Sequence, residues 1–258
     1  SQLTACSGKS PVCLKPISLR EKVKSRHEIV NSLGTLRLYF HIPPPVRERS
    51  YTASTPLKLA RGVFACHMTC GSGREISVLN LFGYTGAASV ACLKAGAKVC
   101  HVDSAKAMVE RAGENVILSG LDNLGMRYII DDCFKFCQRE IRRGKKYDAI
   151  ILDPPSFGRG PNGEKWKIEE GISELCELVT KLLSDNPLFV CLNSYTTGLQ
   201  PTVMANILKL TLPQNAIIDA DEIGLATEEG LVLPQGCTAF ATFANRCTER
   251  LQVEDCRI

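Results

Sequence analysis

The chain has 258 residues, 45% of them hydrophobic, enough for one substantial α/β core with at most a small appendage. A net charge of +4 and a pI near 8.4 admit a nucleic-acid substrate without requiring one. No apolar run reaches the ~18–20 residues of a membrane span, and 13 scattered cysteines without a secretory signal argue for reduced thiols in an intracellular, cytoplasmic protein rather than a disulfide scaffold or membrane partner.

The sequence begins with Ser1 and carries Lys9, Lys15, Arg20, Lys22, Lys24 and Arg26 against Glu21 alone. That stretch reads as the start of a trimmed product: either a disordered basic leader or an organelle (plastid or mitochondrial) transit segment. Residues 1–56 form an expected N-terminal arm or remnant β module, with one alternating strand over Leu36–Ile42 closed by Pro43, Pro44 and Pro45. Residues 57–258 form the expected main domain. Within it, Cys66 and Cys70 have C-x3-C spacing and no second pair, so no metal site is expected.

From Ile76 onward strand and helix patterns alternate. Strands are expected over Ile76–Phe82, Lys98–Asp103, Met126–Ile130, Tyr147–Asp153, Pro187–Asn193, Ala216–Ala220 and Cys237–Phe243. Helices are expected over Gly86–Ala95, Ser104–Leu118, Phe134–Gly144, Glu169–Ser184 and Gln200–Leu210. Near-continuous apolar strands require a sheet covered on both faces, and the alternation implies right-handed crossovers in a doubly wound, mostly parallel α/β fold. The last two strands lack a helix between them and are expected to pair antiparallel at one edge.

Three acidic or glycine-bearing turns follow successive strands. Asn80, Leu81, Phe82, Gly83, Tyr84, Thr85 and Gly86 end the first one; glycines there let backbone approach a ligand and open the next helix at its N-terminus, although an ordinary strand-to-helix turn has the same shape. Asp103 ends the second strand about 20 residues further on, where an acid binds ribose hydroxyls or caps the following helix. Asp131 and Asp132 follow the third, and Asp132 is the better placed to accept from an adenine amine, or else to cap the helix near Cys133. Asn115 reads as a surface polar residue. The fourth strand ends in Asp153-Pro154-Pro155-Ser156-Phe157, where the prolines fix direction and remove two donors, leaving Asp153 and nearby carbonyls as acceptors. Phe157 could stack on a base or form an apolar lid; Arg159, Lys165, Trp166 and Lys167 could close on phosphates or make a surface loop anchored by Trp166.

Taken in order, Val78–Gly86, His101-Val102-Asp103, Asp131-Asp132, Leu152–Pro161, Trp166-Lys167 and Asn193-Ser194-Tyr195-Thr196 resemble a class I S-adenosylmethionine-dependent methyltransferase, nearest to the bacterial-type large-subunit ribosomal RNA methyltransferases. The resemblance covers Ile76 to Phe243, about two-thirds of the chain. It implies a seven-stranded Rossmann-like sheet, with S-adenosyl-L-methionine over the Gly83 turn and a target base near Asp153, Pro154, Pro155 and Phe157. It further implies ribosomal RNA as the substrate and partner, methylated on a base nitrogen.

Three departures qualify it. Cytosine-C5 enzymes of this kind carry a cysteine nucleophile just after the fifth strand, where this chain has threonine in Asn193-Ser194-Tyr195-Thr196-Thr197; Cys191 falls inside the apolar strand and reads as core. Thr55–Lys58 and Gly62–Phe64 match the segment preceding the glycine strand in relatives, but Arg61–Arg74 diverges. At most a stub of the relatives' N-terminal RNA-binding module is present. A non-catalytic RNA-binding or assembly protein on the same fold is therefore an alternative. So is a nicotinamide-dependent oxidoreductase, which leaves Asp-Pro-Pro unexplained. Nothing in the sequence sets the oligomeric state.

Overall fold

Alternating apolar side chains along the strands send one set to each side of a central sheet, and helices bury both sets. A computed structural model describes residues 74–159, 165–226 and 231–243. The arm or β module expected over residues 1–56, the segments Thr55–Lys58 and Gly62–Phe64, and Cys66 and Cys70 lie outside them, as does nearly all of the divergent segment before Arg74.

The elements in chain order are β1 (Ser77–Leu81), α1 (Ala87–Lys94), β2 (Lys98–Asp103), α2 (Lys106–Leu118), a 3-10 turn (Asp122–Leu124), β3 (Arg127–Ile130), α3 (Cys133–Arg142), β4 (Ala149–Leu152), β5 (Phe157–Arg159), β6 (Lys165–Lys167), α4 (Ile168–Thr180), β7 (Phe189–Ser194), α5 (Pro201–Thr211), β8 (Ala216–Ala226) and β9 (Val232–Phe243). Seven strands form one sheet in the order β3-β2-β1-β4-β7-β9-β8. β1 pairs in parallel with both β2 and β4, and β9 is antiparallel to β7 and β8, as the missing helix implied. The chain steps outward from β1 to β3, then crosses back to β4, so the switch point of this doubly wound sheet lies between the carboxyl ends of β1 and β4. The glycine turn and Asp153 leave the sheet at those two ends.

Leu79, Leu81, Val102, Ile150, Leu152, Val190 and Leu192 face α3, α4 and α5 in the larger core. Val78, Val99, Ala149, Ile151 and Phe189 face α1 and α2 in the smaller one. Two buried carboxylates brace the structure away from the site. Asp148 accepts from Arg74 (2.5 Å), the Ser77 amide (2.9 Å) and Ser184 (2.7 Å). Glu140 accepts from Arg127, Arg143 and Tyr147. Among the described residues no helix is long and apolar enough to cross a membrane.

Two stretches differ from expectation. β8 and β9 run past their apolar patterns as a long hairpin, irregular at Ile223/Gly224, because ladder hydrogen bonds carry it where Asp219, Asp221, Pro234 and Gly236 break the alternation. The glycine-rich stretch after Asp153, read as a loop, contains the small antiparallel pair β5–β6. Trp166 on β6 fixes this pair: its ring lies 5.6 Å from that of Phe82 and 5.7 Å from that of Phe134, and its Nε1 donates to the Pro155 carbonyl at 2.6 Å.

Candidate active site

The turn after β1 is held by backbone geometry that side chains normally avoid. Phe82 (φ 56°) and Tyr84 (φ 49°) are bulky residues in the left-handed region, and Gly86 (φ 83°) shares it. Such conformations persist only where surroundings over-determine them. Here the Gly83 amide donates to the Val102 carbonyl (2.9 Å), the Tyr84 amide to Asp103 Oδ2 (2.9 Å), and the Gly86 amide to the Gly83 carbonyl (2.9 Å). Asn115, expected to be a surface residue, donates from α2 to the Thr85 carbonyl at 2.9 Å and ties the turn to that helix.

Beneath the turn lies a residue to which the sequence reading gave no role of its own. His101 is fully buried on β2, directly in register with Asn80 on β1. Asn80 donates to Ser89 Oγ on α1 (2.8 Å), and Ser89 Oγ lies 3.0 Å from His101 Nδ1. The Ser89 hydroxyl donates to Nδ1 in one imidazole tautomer and accepts from it in the other. Burial lowers the His101 pKa against opposing contributions from Asp103 and the Tyr84 backbone, so the ring is neutral near pH 7. A Cβ at Gly83 would lie 2.3 Å from the imidazole, and one at Gly86 would lie 2.8 Å from the Ala112 Cβ. The imidazole under the turn thus by itself requires glycine at residue 83. Asn80, expected at the cofactor, has its amide committed to Ser89 and supports the turn from below. The signal available in the sequence was a histidine in an otherwise apolar strand.

The acids at the next two strand ends are oriented by backbone. Asp103 accepts from the amides of Tyr84 and Ala105 (2.8 Å), one on each oxygen. Each oxygen keeps a further lone pair. Asp132 caps α3 through the Lys135 amide (3.0 Å) and retains its second oxygen. Asp131 is committed elsewhere, with one oxygen on the Asp132 amide and the other ion-paired with Arg139. The first turn of α1 has no side-chain cap, so its amides remain available to a ligand.

Across the switch point, Asp153 begins where β4 ends, its amide reaching the Leu81 carbonyl at 3.4 Å. The two prolines were expected to leave carbonyls as free acceptors, but Pro155 accepts from Trp166 and Ser156 from the Ile168 amide (3.1 Å). The Asp153 side chain therefore stands out as the acceptor. Its Oδ1 is buried with no hydrogen-bond partner, while Oδ2 faces the Tyr195 hydroxyl at 3.5 Å. Burial raises the Asp153 pKa to about 6, with hydrogen bonds from Tyr195 and Asn193 opposing. Tyr195 (55% exposed) offers aromatic surface beside it, and Phe157 (52% exposed) opens β5 in the loop that follows. Thr196 donates to Ser156 Oγ (2.6 Å), lacing the β7 loop to the Asp153 loop. Cys191 is buried and its thiol is pushed up to about 12, mainly by burial, which leaves it inert as a nucleophile near neutral pH.

A seven-stranded doubly wound sheet with a ligand turn and paired acids at its switch point defines a class I methyltransferase architecture. A sequence model of the S-adenosylmethionine-dependent methyltransferase family matches residues 58–206, more than half of the chain. The chain belongs to this family, whose cofactor is S-adenosylmethionine. It is similar to a solved S-adenosylmethionine-dependent methyltransferase from Agrobacterium tumefaciens, at 33% identity and a TM-score of 0.66, covering 72% of this chain and 61% of that one. Among curated proteins it is similar to ribosomal RNA large subunit methyltransferase I of Serratia proteamaculans, 36% identical over 48% of this chain and 31% of that protein. It is likewise similar to ribosomal RNA large subunit methyltransferase I of Aeromonas salmonicida, 42% identical over 31% of this chain and 20% of that protein. The matched stretch thus spans less than a third of the length of these two relatives.

Gly83→Ala drives a methyl group into the imidazole. We expect it to lower unfolding free energy by about 1–3 kcal/mol and to weaken S-adenosylhomocysteine binding, checked by urea denaturation and calorimetry; an unchanged midpoint would show that the turn has room to spare. Asp153→Asn tests the buried charge. The folded pKa is raised, so the native state holds the proton more tightly than the unfolded chain, and wild-type stability falls as pH rises from about 4 through about 6. The asparagine variant should then be more stable than wild type by roughly 2–3 kcal/mol at pH 8, with the gap closing below pH 4. Equal stabilities at pH 8 would mean that the carboxylate is solvated.

Proposed function

We propose that the chain methylates a base nitrogen of ribosomal RNA, with residues 57–258 acting as the methyltransferase domain and residues 1–56 as an arm. The observation that carries this reading is the buried, unpartnered Asp153 Oδ1 in a carboxylate facing exposed Tyr195, next to the glycine turn and followed in the same loop by exposed Phe157. An acceptor flanked by aromatic surface suits a flat donor-bearing group such as a nucleobase amine. The relatives named as ribosomal RNA large subunit methyltransferases supply the RNA class, and the inert Cys191 speaks against cytosine-C5 chemistry, which needs a thiolate.

The donor set fits S-adenosylmethionine. Asp103 would accept from the ribose hydroxyls, Asp132 from the adenine amine through its open oxygen, and the uncapped amides of α1 would face the amino-acid carboxylate. Phe82, Tyr84, Thr85 and Gly86 would shape the surface of the turn. When bound, the cofactor supplies an electrophilic methyl group on a sulfonium. The chain's own part is to hold the base, exclude water and orient its nitrogen. Above pH 6 Asp153 is mostly ionised and accepts an amine N–H through Oδ1, aligning the nitrogen lone pair and receiving the proton after transfer. Phe157 would stack on the base, a contribution of about 1–3 kcal/mol. The compartment would be one holding ribosomes, the cytoplasm or an organelle.

Asp153→Ala should reduce methyl transfer to ribosomal RNA at least ~100-fold while leaving S-adenosylhomocysteine affinity within about threefold. Asp103→Ala should instead lose cofactor affinity. Loss of both properties in Asp153→Ala would overturn this division of labour.

A further inference from the structure

Most buried ionisable side chains in the described part of the chain have a structural account. Asp148 and Glu140 are enclosed by donors, His101 seats the cofactor turn, and the buried thiols are raised by burial. Tyr195 is harder to place as a surface residue. More than half its surface is exposed, yet its hydroxyl turns inward toward a buried carboxylate, whereas a surface tyrosine ordinarily keeps that hydroxyl in water. Burial and the charge of Asp153 both raise the phenol pKa. The fold also makes room for the ring. Gly236 on β9 has φ 132°, and a Cβ there would lie 2.4 Å from the Ser194 carbonyl oxygen and 2.9 Å from Tyr195 Cδ1. The loop that carries Tyr195 is fastened to the Asp153 loop by the Thr196–Ser156 bond.

We propose that Tyr195 is the positioning residue of the reaction site: its hydroxyl pins Asp153 Oδ2 and so presents Oδ1 as the acceptor for the incoming base. This rests on the reading of Asp153 given above. The groups facing Asp153 come from β7 and its following loop. They are the Tyr195 hydroxyl, the Asn193 side chain, whose Oδ1 is taken by Thr238 (2.9 Å), and the neutral Cys191 thiol. Among the described residues no cation is ion-paired with Asp153, so Tyr195 is the ionisable donor that holds it. At 3.5 Å the contact is long, and it would tighten in a productive complex with the base.

The decisive comparison is wild type against Tyr195→Phe in the full chain, by 13C-carboxyl NMR titration without RNA, with Asp153→Asn identifying the signal. A hydroxyl donor stabilises the carboxylate, so its removal should raise the Asp153 midpoint by about one pH unit. Fluorescence of Trp166, the single tryptophan of the sequence, verifies that the variant is folded. In methyl transfer the acid limb should move with the midpoint, the loss in Tyr195→Phe growing about fivefold between pH 9 and pH 6. An unmoved midpoint overturns the proposal, even if wild type methylates RNA. A moved midpoint in a protein that transfers no methyl group to RNA sustains the positioning role and removes the RNA reading instead.

Discussion

A neutral imidazole buried under the glycine turn sets the geometry of that turn, the proposed cofactor half of the site. His101 occupies the space that any side chain at residue 83 would need, and Asn80 and Ser89 fix the ring through one continuous hydrogen-bond relay. Two residues along the same face of β2, Asp103 takes the Tyr84 amide and stabilises the left-handed backbone on either side of Gly83. The relay is costly to bury and pointless in an apolar core unless its geometry matters. Its product is a strained turn with Tyr84 exposed and Thr85 and Gly86 buried.

The second half of the site is joined to the first through Trp166. Its ring packs on Phe82 from the turn and Phe134 from α3, while its indole N–H consumes the Pro155 carbonyl. A Cβ at Gly171 on α4 would come within 2.5 Å of the same ring, so that helix was also cleared for it. With Pro155 and Ser156 satisfied in this way, Asp153 Oδ1 is left buried and without a hydrogen-bond partner. Burial of the carboxyl accounts for its raised pKa, which the donors Tyr195 and Asn193 offset only in part. The buried charge lowers stability at that residue, the cost of the acceptor role proposed for it.

Much of this was legible in the sequence because period and punctuation are local. Apolar runs ending in Gly83, Asp103 and Asp153 announced parallel strands with a site at their carboxyl ends, and Cys191 in mid-strand announced a core thiol. What stayed hidden depends on register and long-range packing. That Asn80 and His101 are neighbours follows from the pairing of β1 with β2, which periodicity cannot give. That Gly83 yields to an imidazole requires knowing which face of β2 lies under the turn. The double service of Asp103, the capping by Asp132 and the diversion of Asp131 to Arg139 differ by single bonds between adjacent residues of like chemistry. The β5–β6 pair was masked by its glycines, and the inward hydroxyl of Tyr195 by its position in a loop.

The central claim is that the carboxyl ends of β1 and β4 hold S-adenosylmethionine and a nucleobase side by side. The most direct measurement is transfer of a tritiated methyl group from S-adenosylmethionine to protein-free ribosomal RNA, followed by nuclease digestion and mass-spectrometric identification of the labelled nucleoside. The account predicts label in one nucleoside, on a base nitrogen. Label on carbon 5 of cytosine, or micromolar cofactor binding with no label in any RNA offered, would contradict it.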